Sequence, residues 1–160
     1  MTTATTLGAL ADAGVLAIGD GYRTKGSEYD DAGIPILRVA DVLEGKVAPS
    51  FKDRVSLARL SQIGPKQSRP GDVIVTTKGT VGRVAFIPES LPPHVYSPQL
   101  CYLRVKDSSQ VDQRWLYSWT RSPQFQRQTA DLKTAADEII EQLGVLRHFA
   151  ARGAVEVEQV

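Results

Sequence analysis

The stretch from Arg69 to Val105 constrains this chain most, because it alternates β-branched runs with turn signals at spacings that only a sheet accommodates. Pro70-Gly71 marks a turn, and Val73-Ile74-Val75 follows as a buried strand. Thr76-Thr77-Lys78-Gly79 then interrupts with polar residues and a glycine, and Val81 to Ile87 resumes as a second strand ended by Pro88. The pattern predicts a hairpin with a basic, glycine-loosened tip. A third strand, Leu100 to Val105, is expected after a turn-rich segment holding Pro92, Pro93 and Pro98.

At 160 residues and 42% hydrophobic, the chain is long enough for one compact domain with a real core and too short for two comfortable ones. No apolar run approaches the ~20 residues of a membrane span, and Met1 to Thr6 lacks the basic and apolar regions of a secretion signal. A soluble, cytoplasmic chain is the expectation. Cys101 is the only cysteine, so no disulfide can form within one chain, and its place in Leu100–Leu103 predicts a buried, inert thiol.

Net charge is only +1, but its distribution is uneven. Residues 1 to 45 hold three cations against seven acids; residues 46 to 83 hold eight cations against Asp53 and Asp72 alone. Such a local excess suits a surface that meets phosphates, and equally a solvated basic face.

The remaining elements are read from spacing. Leu7, Leu10, Val15 and Leu16 suggest a short helix broken at Gly14. Ile18 to Ser27, with three glycines, reads as an exposed loop, and its order lacks both glycine fingerprints of nucleotide loops. Gly33 to Val42 reads as a strand in which Pro35 marks an edge or a first residue. Ser56 caps a short helix through Ile63, stopped by Gly64-Pro65. Asp112 caps a helix carrying Trp115, Leu116 and Trp119, and Ser122-Pro123 opens a second. Along it Leu132, Ala136, Ile139, Leu143 and Leu146 recur at steps of four and three, the seam of a helix that packs on another helix, within this domain or on a partner.

No catalytic constellation stands out. The chain has no asparagine, hence no N-P-P-Y loop of adenine methyltransferases; Pro92-Pro93-His94 is no substitute. His94 and His148 are far apart and fit no metal spacing, and the adjacent Asp30-Asp31 pair is poorly arranged for acid–base work. Neither a metal nor another cofactor is expected.

Three segments resemble a known family. Gly71-Asp72-Val73-Ile74-Val75, Lys78-Gly79-Thr80-Val81-Gly82-Arg83-Val84-Ala85 and Tyr96-Ser97-Pro98-Gln99-Leu100 are similar to the DNA target-recognition domain of the specificity (S) subunit of type I restriction-modification enzymes. Gly33 to Val42, Trp115-Leu116-Tyr117 and Arg121 to Gln126 extend the resemblance to roughly residues 15 to 130. The family's usual proline-rich continuation is missing from residues 151 to 160, and Gly144 interrupts the helical seam.

The resemblance implies an α/β domain of the α+β type, with a twisted, mostly antiparallel sheet and short helices over residues 1–111. A C-terminal helical arm over 112–150 would dock a partner or a second copy, and 151–160 would be a tail. It implies double-stranded DNA as ligand, methyltransferase and restriction subunits as partners that carry the chemistry, and a homodimer that restores two recognition domains. Tyr22, Arg23 and Lys25 in the glycine loop, and Lys78, Thr80 and Arg83 on the hairpin, would then meet base edges; Arg83 facing a core carboxylate is the alternative. Without asparagine, adenine is left to glutamine, with Gln62, Gln67 and Gln99 as candidates. Lys46, Lys52, Arg54 and Lys66 would hold phosphates. The competing reading is a stand-alone binding protein on the same fold, a regulator or a sequesterer of a small DNA-directed ligand.

Overall fold

The computed structural model describes residues 5–135, the side chains of 131–135 excepted. The seam residues Leu132, as a side chain, and Ala136, Ile139, Leu143 and Leu146 lie outside the described residues, as do 136–150 of the expected arm and the tail.

The fold is α+β, with sheets that are antiparallel throughout except for one strand pair. Thr6 caps α1 (Leu7–Asp12) by accepting the Ala9 amide at 3.0 Å. The chain turns at Gly14, whose φ of 74° a side chain would resist, and enters β1 (Leu16–Asp20). Val15 and Leu16 therefore belong to the approach and first residue of a strand rather than to the helix. Next come β2 (Tyr29–Leu37), the two-residue strands β3 (Val42–Leu43) and β4 (Lys46–Val47), and β5 (Arg54–Val55). After α2 (Leu60–Ile63) the chain forms β6 (Val73–Thr76), β7 (Val84–Phe86), β8 (Val95–Tyr96) and β9 (Leu100–Val105). Helices α3 (Gln113–Thr120) and α4 (Pro123–Ala135) follow.

The four-stranded sheet has the order β1-β9-β6-β7, and a three-stranded one has the order β5-β2-β8. Strand β6 is flanked on both sides, and all four of its residues are buried, as its unbroken β-branched run requires. The two-stranded β3–β4 hairpin turns through Gly45 (φ 81°), whose amide donates to Val84 O at 2.9 Å and ties the hairpin to β7.

Three further sequence expectations need correction. The second strand of the hairpin begins at Val84, not Val81. Gly79 and Gly82 both take left-handed φ (76° and 90°), and buried Thr76 reaches across the seven-residue connection with its hydroxyl, donating to Thr80 O and accepting from Arg83 N. The expected loop from Ile18 to Ser27 loses its first residues to β1, because Ile18 pairs with Leu103 and Gly19 with Tyr102. Finally, Pro35 lies in a strand flanked on both sides. Its missing N–H is harmless because the β8 ladder starts one residue later, at Ile36, and the Ile36 amide donates to Asp53 O at 2.8 Å.

Leu7, Val15, Leu16, Val73, Val75, Leu103, Leu116 and Phe125 form one buried cluster, so α3 and the start of α4 share a core with α1 and the four-stranded sheet. At ~1.5–3 kcal/mol per fully buried aliphatic or phenyl side chain, this cluster is a main source of stability. Asp112 caps α3 by accepting the Arg114 and Trp115 amides at 2.8 and 3.0 Å. Leu37, Val42, Ile74, Ile87, Tyr96 and Leu100 form a second cluster, and Ile34, Ile36, Val55, Ile63 and Val95 a third.

Candidate nucleic-acid interface

Strand directions bring four connections to one end of the sheets. Asp20 at the end of β1 lies opposite Cys101, and Thr76 at the end of β6 lies opposite Leu100, so β1 and β6 both finish where β9 starts. Strands β2 and β8 run parallel and finish together, with Leu37 opposite Tyr96. The segments that leave this end are residues 21–25, 38–41, 77–83 and 97–99.

Main-chain hydrogen bonds tie these segments together. The Tyr22 amide donates to Tyr96 O at 2.7 Å, the Ser97 amide to Leu37 O at 3.0 Å, and the Thr77 amide to Gln99 O at 2.9 Å. The Thr77 hydroxyl donates to the same Gln99 carbonyl at 2.9 Å. Gly21 packs so tightly on the Tyr96 and Ser97 carbonyls that no side chain fits there. Gly79, at the hairpin tip, faces Val39 in the second connection.

Of the thirteen residues singled out from sequence, Arg23, Lys25, Lys78 and Thr80 stand exposed in these connections, with Gln99 half-buried among them. Tyr22 is turned partly inward, against the Ile34–Val95 cluster, with its hydroxyl 3.0 Å from a Glu28 carboxylate oxygen and 3.4 Å from Gln62 Oε1. Burial raises the Tyr22 phenol above its ordinary pKa, with the Glu28 hydrogen bond adding to the effect. The Lys25 amide holds the Glu28 carboxyl below the usual carboxylate range. Glu28 also pairs with Arg59 at 3.4 Å, so the base of the 21–25 loop is anchored to the segment around α2.

Lys66 serves the same loop: its ammonium donates to Asp20 Oδ1 and Gly21 O, both at 2.9 Å. Arg83 folds back toward the Val42 carbonyl, 3.3 Å away, rather than toward a carboxylate. Arg54 donates to Gly33 O at 3.0 Å, and Gln67 forms an isolated bridge with Val95. Lys52 is exposed between Phe51 and Asp53, and Lys46 is exposed on β4. The structure thus gathers five of the thirteen at one rim, sets Tyr22 at its foot, and spends Lys66, Arg54 and Arg83 on internal bonds.

Sequence reasoning missed the charge pair that braces the opposite side of this framework. Asp72 is fully buried and receives Arg104 Nε and Nη2, each at 2.7 Å, together with the Tyr96 hydroxyl at 2.6 Å. Arg104 continues to the Gln67 and Pro65 carbonyls at 3.0 and 3.1 Å and lies over the Tyr102 ring, 4.7 Å from its centroid. Burial pulls the Arg104 guanidinium down, but its hydrogen bonds to Asp72 more than offset this and leave it above its ordinary value. An arginine inside an otherwise apolar strand was the available signal. A second ion pair, Arg38–Asp53 at 2.6 Å, is half-exposed, and Arg38 also donates to the exposed Tyr29 hydroxyl at 3.1 Å.

Chemical reactivity is muted elsewhere. Burial pushes the Cys101 thiol up to about 12, and the buried His94 imidazole is held below its usual value by burial, with Nδ1 donating to Pro92 O at 2.6 Å. Among the described residues no cluster of three or more His, Cys, Asp or Glu could hold a metal ion, and no helix is long and apolar enough to cross a membrane.

No family model matches this sequence, and no curated protein does. Solved structures do. The HsdS subunit from Thermoanaerobacter tengcongensis matches over 93% of this chain and 43% of its own, with TM-score 0.52 and 21% identity. A structure of the type I R-M system, described for its complex assembly and conformational transition, matches over 89% and 45%, with TM-score 0.46 and 21% identity. The type I restriction-modification S subunit from M. genitalium matches over 81% and 28%, with TM-score 0.47 and 15% identity. The chain spans less than half the length of each of these proteins. At these identities the likeness is one of fold, and the fold of this chain is similar to that of the HsdS subunit.

Proposed function

We propose that the chain is a non-catalytic DNA-reading module of the type I specificity-subunit kind, one recognition domain that leaves methylation and cleavage to partner subunits. The observation that carries this is the convergence of four connections at one end of the sheets, with Arg23, Lys25, Lys78 and Thr80 exposed and Gln99 beside them. In this reading Arg23, Lys25 and Lys78 meet phosphates and guanine edges, and Gln99 supplies the bidentate amide that adenine requires. Lys52 extends phosphate contacts along the flank. Lys66 and Arg83 act indirectly, by holding the 21–25 loop and the hairpin in place. Residues 112–150 are the proposed surface for methyltransferase docking and for pairing with a second copy, which would give a two-fold DNA site.

The test is selection of bound duplexes from a randomised pool, followed by fluorescence anisotropy over a range of salt. Four cations on phosphates, Arg23, Lys25, Lys52 and Lys78, predict a slope of log affinity against log salt of about −3.6, and Lys78→Ala should weaken binding and flatten that slope by about one. The variant should keep its melting temperature, since Lys78 is exposed. An unenriched pool, or a Lys78→Ala affinity equal to the parent's, would remove this rim from DNA recognition.

A further inference from the structure

A cleft of about 380 Å³ opens between the β3–β4 hairpin, the end of β7 and helix α3. This is within the range of roughly 300–1,000 Å³ typical of small-molecule sites. Its apolar surface comes from Val47, Phe86, Pro88 and the ring of Tyr117. Phe86 and Tyr117 are tilted 55° to each other with centroids 5.5 Å apart. Tyr117 spends its hydroxyl on Gly45 O, at 3.2 Å, so its ring is held in place and its polar end is engaged.

Two cations, Lys46 and Arg114, border this surface. Both are exposed, and neither side chain has an ion pair or hydrogen bond among the described residues. The carboxylate nearest in sequence to Lys46, Glu44, faces Arg121 at 3.8 Å, and Arg121 in turn lies over the Tyr117 ring, 5.4 Å from its centroid. An apolar, partly aromatic cleft bordered by unneutralised positive charge suits one class of molecule: a flat ring that packs on Phe86 and Tyr117 and carries an anionic group for Lys46 and Arg114.

We propose that this cleft binds a small aromatic carboxylate or a similarly shaped anion. None of Arg23, Lys25, Lys78, Thr80 or Gln99 lines this cleft.

The experiment uses two probes of the same shape, indole-3-carboxylate and the neutral indole-3-carboxamide, titrated into the ¹⁵N-labelled full chain. Amide shifts should concentrate at residues 45–47, 86–88 and 114–121, and the carboxylate should bind roughly tenfold more tightly than the carboxamide, as expected for charge-assisted hydrogen bonds. The double variant Lys46→Gln/Arg114→Gln should lower carboxylate affinity to that of the carboxamide and leave the carboxamide unchanged. Lys78→Ala should leave both affinities as they are, whatever it does to DNA binding. Equal affinity of the two probes for the parent protein, which needs no variant to measure, would overturn the proposal; so would shifts confined to another surface.

Discussion

Replacing Arg104 with methionine removes the cation from the buried Asp72 pair while keeping most of the side chain's length. In the parent, Arg104 gives four hydrogen bonds: two to the Asp72 carboxylate, one to Pro65 O and one to Gln67 O. Asp72 would retain only the Tyr96 hydroxyl and the Arg69 amide, at 2.6 and 2.9 Å, as partners for a fully buried charge. Breaking one side of such a pair costs about 3–5 kcal/mol, a large part of the roughly 5–15 kcal/mol by which a domain is stable. With a urea m-value of about 2 kcal/mol/M, the midpoint should fall by roughly 2 M. The companion Asp72→Asn/Arg104→Met should regain part of the loss, because the stranded charge is gone. A midpoint within about 0.5 M of the parent's would refute the reasoning, since it would mean that Asp72 finds comparable support without Arg104.

Gly21→Ala should destabilise by about 1–3 kcal/mol, because the added methyl meets the Tyr96 and Ser97 carbonyls, which are backbone and cannot swing aside. Gly26→Ala is the control: its added carbon meets nothing within 4 Å, and its melting curve should superimpose on the parent's within a degree or two. His94 gives a pH dependence whose sign follows from its lowered pKa. The folded state keeps the imidazole neutral while the unfolded chain takes up a proton near ~6.5. Its contribution is therefore complete above that pH and falls by up to about 1.4 kcal/mol per unit of acidification until the folded pKa is reached. Asp41 opposes this shift and Arg54 reinforces it. Urea midpoints of the parent and of His94→Gln, measured at pH 7.5 and 5.5, should differ in slope; parallel curves would show that His94 does not titrate on unfolding.

Local order was legible in the sequence where a single stretch decides it. The run Val73–Val75 reads as a strand because no other element buries three consecutive β-branched residues so readily, and Asp112 and Ser122-Pro123 announce α3 and α4 by their capping chemistry. Non-local order was not legible. Whether Lys66 grips a phosphate or Asp20 depends on where β1 ends in space, and the pairing of β1 with β9 joins residues that lie far apart along the chain, Leu16 with Val105 and Asp20 with Cys101. Pro35 misled for the same reason: the harm of a missing amide depends on which register the neighbouring strand adopts. Phe51, half-exposed at φ 56° with its ring 5.2 Å from His94, carried no sequence signal at all.

The bonds that unite the four connections run between amides and carbonyls, from Tyr22 to Tyr96, Ser97 to Leu37 and Thr77 to Gln99. Such bonds are indifferent to the letters of the chain. Arg23, Lys78 or the side chain of Gln99 can therefore be exchanged for almost any other residue while the loops that present them stay in place. If these loops read DNA as proposed, the scaffold separates where contact is made from what is asked there, so a new preference can arise by single substitutions, each tried on a stage already built.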